Sequence, residues 1–245
     1  MKGAALAREL LQLLLPGACL GCGDRIPPEE VPGLVCFRCR TLLKGLPAPG
    51  CPRCQMPLGT GHPPGEECLE CEGWPPAMAW ARAAVVLEPP ADALVHAFKY
   101  EGWRKLGGYM AHRMVRVVPP IPGHTVLVPV PTTPRRLRMR GYNQAEVLAA
   151  EVERIKGWPL VRALERPGGR SQVRLGPRQR AANVQEAFRP LPGSCSRIRG
   201  SQVVVVDDVL TTGATALSAA RALRKIGAER VHVLTFARAL PFRGR

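Results

Sequence analysis

The stretch Val203-Val204-Val205-Val206-Asp207-Asp208-Val209-Leu210-Thr211-Thr212-Gly213-Ala214-Thr215 decides the fold. Four consecutive β-branched apolar residues predict a strand buried on both faces, as in a parallel sheet. Two carboxylates stand where that strand is expected to end. A Thr-Thr-Gly-Ala-Thr turn then leads into residues 216–226, an amphipathic helix closed by Gly227. The apolar run 231–236 reads as the returning strand. This is a βαβ unit with a polar loop at the carboxyl end of its strand, where open α/β sheets bind ligands.

The loop chemistry fits a phosphate beside a ribose. A helix N-terminus offers unpaired N–H groups and partial positive charge. Thr211, Thr212 and Thr215 add hydroxyls, and Gly213 permits close backbone approach. Two carboxylates repel a phosphate, so a polar group must lie between them and the anion. A ribose with vicinal hydroxyls meets that need, because ionised carboxylates only accept hydrogen bonds. The pattern resembles the phosphoribosyl pyrophosphate signature of type I phosphoribosyltransferases. By that resemblance Asp207 and Asp208 hold the ribose hydroxyls. Thr211, Thr212, Gly213, Ala214 and Thr215 cradle the 5′-phosphate.

The chain has 245 residues, enough for one α/β domain and a small satellite, and 46% hydrophobic residues support a core. Its formal charge is +16. With eight cysteine thiolates on two Zn²⁺ ions the balance is still about +12. Such a charge favours polyanions such as nucleic acid or pyrophosphate compounds. An arginine-rich base composition of the genome is the competing explanation. No stretch is long enough to span a membrane. The apolar run before Cys19 is interrupted by Arg8, Glu9 and Gln12, which predicts an amphipathic helix and not a lipoprotein signal. A cytoplasmic protein without membrane insertion is expected.

Residues 19–71 carry four Cys-x-x-Cys pairs: Cys19/Cys22, Cys36/Cys39, Cys51/Cys54 and Cys68/Cys71. The last two pairs repeat the first two at a constant offset of 32 residues. Each half has the spacing of a zinc ribbon, in which two knuckles supply four thiolates to a tetrahedral site. The segments between them are poor in apolar residues, so one or two structural Zn²⁺ ions must replace a core. Sequential pairing is favoured over cross-bracing. Gly73-Trp74-Pro75-Pro76 punctuates a boundary between a cysteine domain, 1–76, and an α/β domain, 77–245.

In the second domain, residues 81–87 predict a strand, followed by helices over 92–98 and 105–117. Lys99 and Tyr100 could lean over a ligand, although a surface lysine is the commoner explanation of such a position. Residues 126–131 predict another strand, ending in a rigid turn. Four arginines follow within six residues, Arg135, Arg136, Arg138 and Arg140. After a strand of the same sheet they form an anion clamp, or else a solvated charge run. Asn143 is the expected N-cap of a helix over 143–156, with Glu146 completing a capping box. Residues 166–182, rich in Gly, Arg and Gln, predict a long polar loop able to close over an anion.

Val-Pro-Val-Pro at 128–131, the arginine turn, Arg-Gly-Tyr-Asn-Gln-Ala-Glu at 140–146, the cysteine ribbon and the Asp207-Asp208 loop together resemble the ComF/ComFC family. That likeness spans about residues 19–238. Its proteins are phosphoribosyltransferase-like and linked to DNA uptake in competent bacteria. The resemblance implies a type I phosphoribosyltransferase fold, a mainly parallel sheet flanked by helices with a small N-terminal zinc ribbon. It implies phosphoribosyl pyrophosphate with Mg²⁺, and single-stranded DNA, as ligands. A competence helicase or DNA-processing proteins are the implied partners. Arg135 and Arg136 would neutralise the pyrophosphate, and Arg178 and Arg180 would act from the mobile catalytic loop. Turnover would be displacement at the anomeric carbon, with pyrophosphate leaving. No residue identifies an acceptor base. Twelve Trp, Tyr and Phe residues are scattered and form no stacking platform in sequence. A salvage phosphoribosyltransferase without a DNA role stays the competing reading.

Overall fold

The computed structural model describes residues 17–27, 30, 33–59, 61–63, 65–166 and 187–241. The predicted helix before Cys19 and the loop segment carrying Arg178 and Arg180 lie outside the described residues. Two short helices, α1 (Phe37–Leu42) and α2 (Leu69–Glu72), belong to the cysteine-rich part. Then come β1 (Met78–Val86), α3 (Ala91–Tyr100), α4 (Leu106–Val115), β2 (Thr125–Pro129), α5 (Pro134–Arg140) and α6 (Gln144–Lys156). After β3 (Leu164–Glu165), β4 (Arg189–Pro190) and α7 (Cys195–Ile198), the chain closes with β5 (Gln202–Leu210), α8 (Ala214–Lys225) and β6 (Arg230–Arg238).

β1, β6, β5 and β2 lie in that order in one parallel sheet. β5 is central, and its four valines are fully buried. Their side chains alternate between two layers, as the strand period of two requires. Val203 and Val205 pack with Ala219, Ala220 and Leu223 of α8. Val204 and Val206 pack with Leu94 and Phe98 of α3, Met110 of α4 and Leu148 of α6. On that face α4 and α6 come so close at Gly107 that a Cβ there would lie 2.6 Å from Val147 Cγ1. Only glycine leaves room for this approach.

Three local expectations change. β5 does not stop before the acid pair. It runs on to Leu210, because β6 keeps pairing with it, Asp207 opposite Thr235 and Val209 opposite Ala237. The arginine turn is a short helix, α5. Thr133 accepts from Arg136 N at 3.2 Å, Pro134 takes the first turn, and Gly141 ends it at φ 73°. Asn143 caps α6 as expected, accepting from Ala145 N at 3.2 Å. Glu146 completes no capping box and pairs with Arg162 at 2.9 Å.

The two cysteine halves are copies in structure as well as sequence. Cys36 N donates to Cys19 Sγ and Cys68 N to Cys51 Sγ, both at 3.3 Å. Cys19 N bonds Asp24 O and Cys51 N bonds Met56 O, both at 2.8 Å. They nevertheless join opposite layers, the first half packing with α3 and α4 and the second with α8. Together they cover the outer edge of β1. Ala81 N donates to Arg53 O at 2.7 Å, Ala83 N to Gln55 Oε1 at 2.7 Å, and Val86 N to Lys44 O at 2.9 Å. Unpaired strand edges invite association with other chains, and this one is closed off.

Arg238, at the end of β6, is 1% exposed and ties the sheet to the second half. It donates to Cys54 O at 2.8 Å and pairs with the half-exposed Glu70 at 3.2 Å. Arg238→Met should therefore lower stability by about 2 kcal/mol in denaturant unfolding, because a buried carbonyl loses its partner. Glu70→Gln should cost under about 1 kcal/mol, as an exposed partner does. Equal costs would contradict this account of the link.

Candidate functional site

The cleft opens at the carboxyl ends of β2 and β5. It encloses about 350 Å³, and Lys99, Arg136, Arg140, Arg166, Asp207, Asp208, Thr211 and Thr215 are among its lining residues. Each side of it is built by a different element. β5 carries the acid pair. α3 brings Lys99, α5 brings Arg136 and Arg140, and the end of β3 brings Arg166. Asn143 fixes the loop after β2, donating from Nδ2 to Val130 O at 3.1 Å.

Asp208 is 6% exposed, and Lys99 Nζ lies 2.8 Å from its Oδ1. Lys99 is therefore not the free surface lysine expected from its position in the sequence. Asp207 Oδ1 accepts from Asp208 N at 2.9 Å. Burial and the neighbouring Asp208 charge push the Asp207 carboxyl up to about 7, against the pull of the Asp208 N–H, Lys99 and Arg166. Burial, with the Arg136 charge behind it, lowers the pKa of Arg166, against the attraction of Asp207.

Beyond β5, Thr211 and Thr212 are exposed, and Gly213 turns the chain at φ 77°. Gly213 is the N-cap of α8, and among the described residues no side chain caps that helix. The first N–H groups of α8 thus remain available to an anion. Behind the turn lies the indole of Trp74, 3.5 Å from where a Cβ of residue 213 would stand. Of the two arginines expected at the pyrophosphate, Arg136 lines the cleft, and Arg135 is exposed and not part of its lining. Arg140 and Arg166 join them in space. Arg140 belongs to the arginine turn that the sequence marked as an anion clamp, whereas Arg166 opens the polar loop with no motif of its own, and the approach of the end of β3 to β5 reveals it.

The cysteines fall into two groups, Cys19/Cys22/Cys36/Cys39 and Cys51/Cys54/Cys68/Cys71, each with its sulfurs within 4.8 Å of one another. Pairing is sequential. Sulfur–sulfur distances of 3.9 Å for Cys22–Cys36, 3.7 Å for Cys51–Cys71 and 3.4 Å for Cys54–Cys68 approach the edge of a tetrahedron. Metal–sulfur bonds of about 2.3 Å give such an edge a length of about 3.8 Å. The thiol contact with Cys71, with backbone and Arg238 help, draws the Cys54 thiol below its usual range against the effect of burial. Both groups fit Zn²⁺.

Similarity to known proteins covers both parts of the chain. The sequence profile of the phosphoribosyl transferase domain matches residues 177–240. The DNA utilization protein YhgH of Salmonella typhi is 30% identical over 241 residues, 93% of this chain and 100% of the relative. Competence protein F of Haemophilus influenzae is 27% identical over 215 residues, 84% of this chain and 90% of the relative. Competence protein ComFC of Bacillus subtilis is 27% identical over 212 residues, 82% of this chain and 81% of the relative. With the matched domain spanning β5, α8 and β6 of a helix-flanked parallel sheet, the fold is that of the type I phosphoribosyltransferases.

The raised Asp207 pKa has a consequence for stability. An acid whose folded pKa exceeds its unfolded 3.8 destabilises the fold as it ionises, so stability falls as pH rises from about 4 through 7 and then levels. Asn at 207 keeps an acceptor for Asp208 N without the charge. Asp207→Asn should melt near wild type at pH 4 and increasingly above it up to pH 7–8, by an amount on the order of a few kcal/mol. Melting curves across that range check the sign, and an advantage that shrinks with rising pH refutes it.

Proposed function

The chain belongs to the ComF/ComFC family, and from that premise we propose that its cleft binds phosphoribosyl pyrophosphate and serves the handling of single-stranded DNA during natural transformation. The observation that carries the reading is a juxtaposition in one cleft. An acid pair, an uncapped helix N-terminus, and the cations Lys99, Arg136, Arg140 and Arg166 all meet there. Only a ligand that is both polyanionic and rich in hydroxyls satisfies all three.

In this reading Asp207 and Asp208 accept from the ribose hydroxyls. The first N–H groups of α8, with Thr211, Thr212 and Thr215, hold the 5′-phosphate. Arg136, Arg140 and Arg166 face the diphosphate, and Lys99 screens it from Asp208. Mg²⁺ would accompany the ligand and supply charge neutralisation at its diphosphate. Zn²⁺ fills both cysteine groups and substitutes for apolar packing. A cytoplasmic setting keeps the thiolates reduced.

Turnover would add one step. A bond from an acceptor to C1′ forms as the C1′–O bond to pyrophosphate breaks, and the departing charge passes to the arginines. The salvage reading requires pyrophosphate release with a free nucleobase. The names of the relatives, DNA utilization and competence, favour DNA handling instead. A panel of nucleobases with phosphoribosyl pyrophosphate separates the two by released pyrophosphate.

Phosphoribosyl pyrophosphate with Mg²⁺ at about a hundredfold excess over Kd should stabilise the fold by about 2.7 kcal/mol. For a chain of this size that corresponds to a rise in Tm of roughly 5–10 °C. Asp207→Asn with Asp208→Asn should abolish the rise. A wild-type melting curve that ignores millimolar ligand would sink the pocket assignment. Elemental analysis should find about two Zn²⁺ per chain. Cys51→Ser with Cys54→Ser should remove one of them, and a preparation free of zinc would refute the structural role.

A further inference from the structure

The mouth of the cleft carries a feature that sugar and phosphate binding does not use. α3 ends in Tyr100, and Trp103 follows in the next turn; they are 57% and 41% exposed. The His96 ring lies 5.1 Å from that of Tyr100. Facing them, α5 has no buried residue at all. Arg135, Arg136 and Arg138 are exposed along it. Arg140 joins the two elements: its Nη2 donates to Tyr100 Oη at 3.1 Å, and its guanidinium lies 4.7 Å from the Tyr100 ring. Arg104 makes a second tie, donating to Gly141 O at 2.7 Å and lying over the Tyr142 ring at 4.5 Å. The carboxylate in this neighbourhood, Glu101, is paired with His96 at 3.0 Å.

Exposed aromatic faces among arginines are the chemistry of an unpaired base beside a phosphate. Every base offers a π-face, and arginine both pairs with phosphate and stacks. A duplex hides its base faces within the helix and gains nothing from the rings. A purely apolar protein partner gains nothing from arginine at this density. The tract is also continuous with the cleft, because Tyr100, Arg136 and Arg140 line it.

We infer that this rim is a platform for single-stranded nucleic acid. Bases stack on Tyr100 and Trp103, phosphates follow the arginines of α5, and Arg136 and Arg140 are shared with the sugar–phosphate cleft. Strand and phosphoribosyl pyrophosphate therefore compete. The competition rests on the proposed function above; the platform rests on its own exposure and charge. The scatter of aromatics along the sequence concealed it, since its aromatic edge comes from α3 and its basic edge from α5.

The probe is a fluorescein-labelled oligothymidylate of about fifteen nucleotides, titrated with the full chain and read by anisotropy. Tyr100→Ala with Trp103→Ala should weaken binding about tenfold or more. Tyr100→Phe, which keeps the ring and loses the bond to Arg140, should stay within about twofold of wild type. Arg135→Gln with Arg138→Gln should flatten the logarithmic salt slope by about 1.4. Phosphoribosyl pyrophosphate with Mg²⁺ should raise the apparent Kd for the strand, where sulfate at equal ionic strength does so less. Unchanged affinity in the double alanine variant overturns the platform, as does equal affinity for duplex. Strand affinity indifferent to saturating phosphoribosyl pyrophosphate overturns the sharing. Trp103 lies outside the cleft lining, so Trp103→Ala alone should weaken strand binding yet keep the wild-type ligand-induced melting shift, which separates loss of the rim from collapse of the pocket. If the wild type shows no such shift yet loses the strand on alanine substitution, the phosphoribosyl pyrophosphate reading of the cleft fails and the platform stands.

Discussion

The cleft is governed by one constraint: two carboxylates stand on a strand that is otherwise buried. β5 lies inside the sheet, and continued pairing with β6 carries Asp207 and Asp208 past the point where local preference would end a strand. Removing a carboxylate from water is costly unless a cation or donors compensate it. Lys99 compensates Asp208, and breaking such a pair typically costs about 3–5 kcal/mol. Asp207 has a backbone donor and, among the described residues, no cation as close, and its pKa near 7 records the deficit. A ligand offering hydroxyls to this pair relieves a strain that the free protein carries.

The same arithmetic of charge would let the cleft accept a phosphate next to its acids. Lys99, Arg136, Arg140 and Arg166 outnumber the two carboxylates lining the cleft, and the open N–H groups of α8 add to them. The acids orient and the cations attract. Arg140 sits at the hinge of this arrangement, bound to Gln144 Oε1 at 3.1 Å on one side and to Tyr100 on the other. Its position makes the cleft and the exposed rim one electrostatic unit.

What was legible in the sequence was local. The valine run, the turn glycine at 213, the Asn143 cap and the repeated cysteine spacing each lie within a few residues or one fixed offset, and the structure has them where they were expected. The zinc-ribbon grouping was legible because knuckles impose their own spacing. What escaped was long-range or lacked periodicity. Lys99 meets Asp208 only because α3 packs across the sheet end, and Arg238 reaches Cys54 across 184 residues. α5 has a cap, a proline and a closing glycine, yet it buries no residue, so no apolar stripe announced it as a helix. Glu146 could serve as cap or as ion-pair partner, and the proximity of Arg162 decided between them.

These long-range contacts also bear on what the cysteine ribbon is for. Trp74 N donates to Cys71 O at 2.9 Å, so the tryptophan is set by the last knuckle of the second group. Arg53 holds the same segment, donating to Pro75 O at 2.7 Å and pairing with Glu67 at 2.9 Å. The indole then backs Gly213, whose left-handed conformation presents the start of α8 to the cleft. Residue 213 tolerates no ordinary side chain at that φ, and the ring behind it leaves the turn little freedom to relax. The second cysteine group thus forms the floor beneath the turn at 211–215. A ribbon that only decorated the sheet edge would need neither the tryptophan nor the arginine that fixes it.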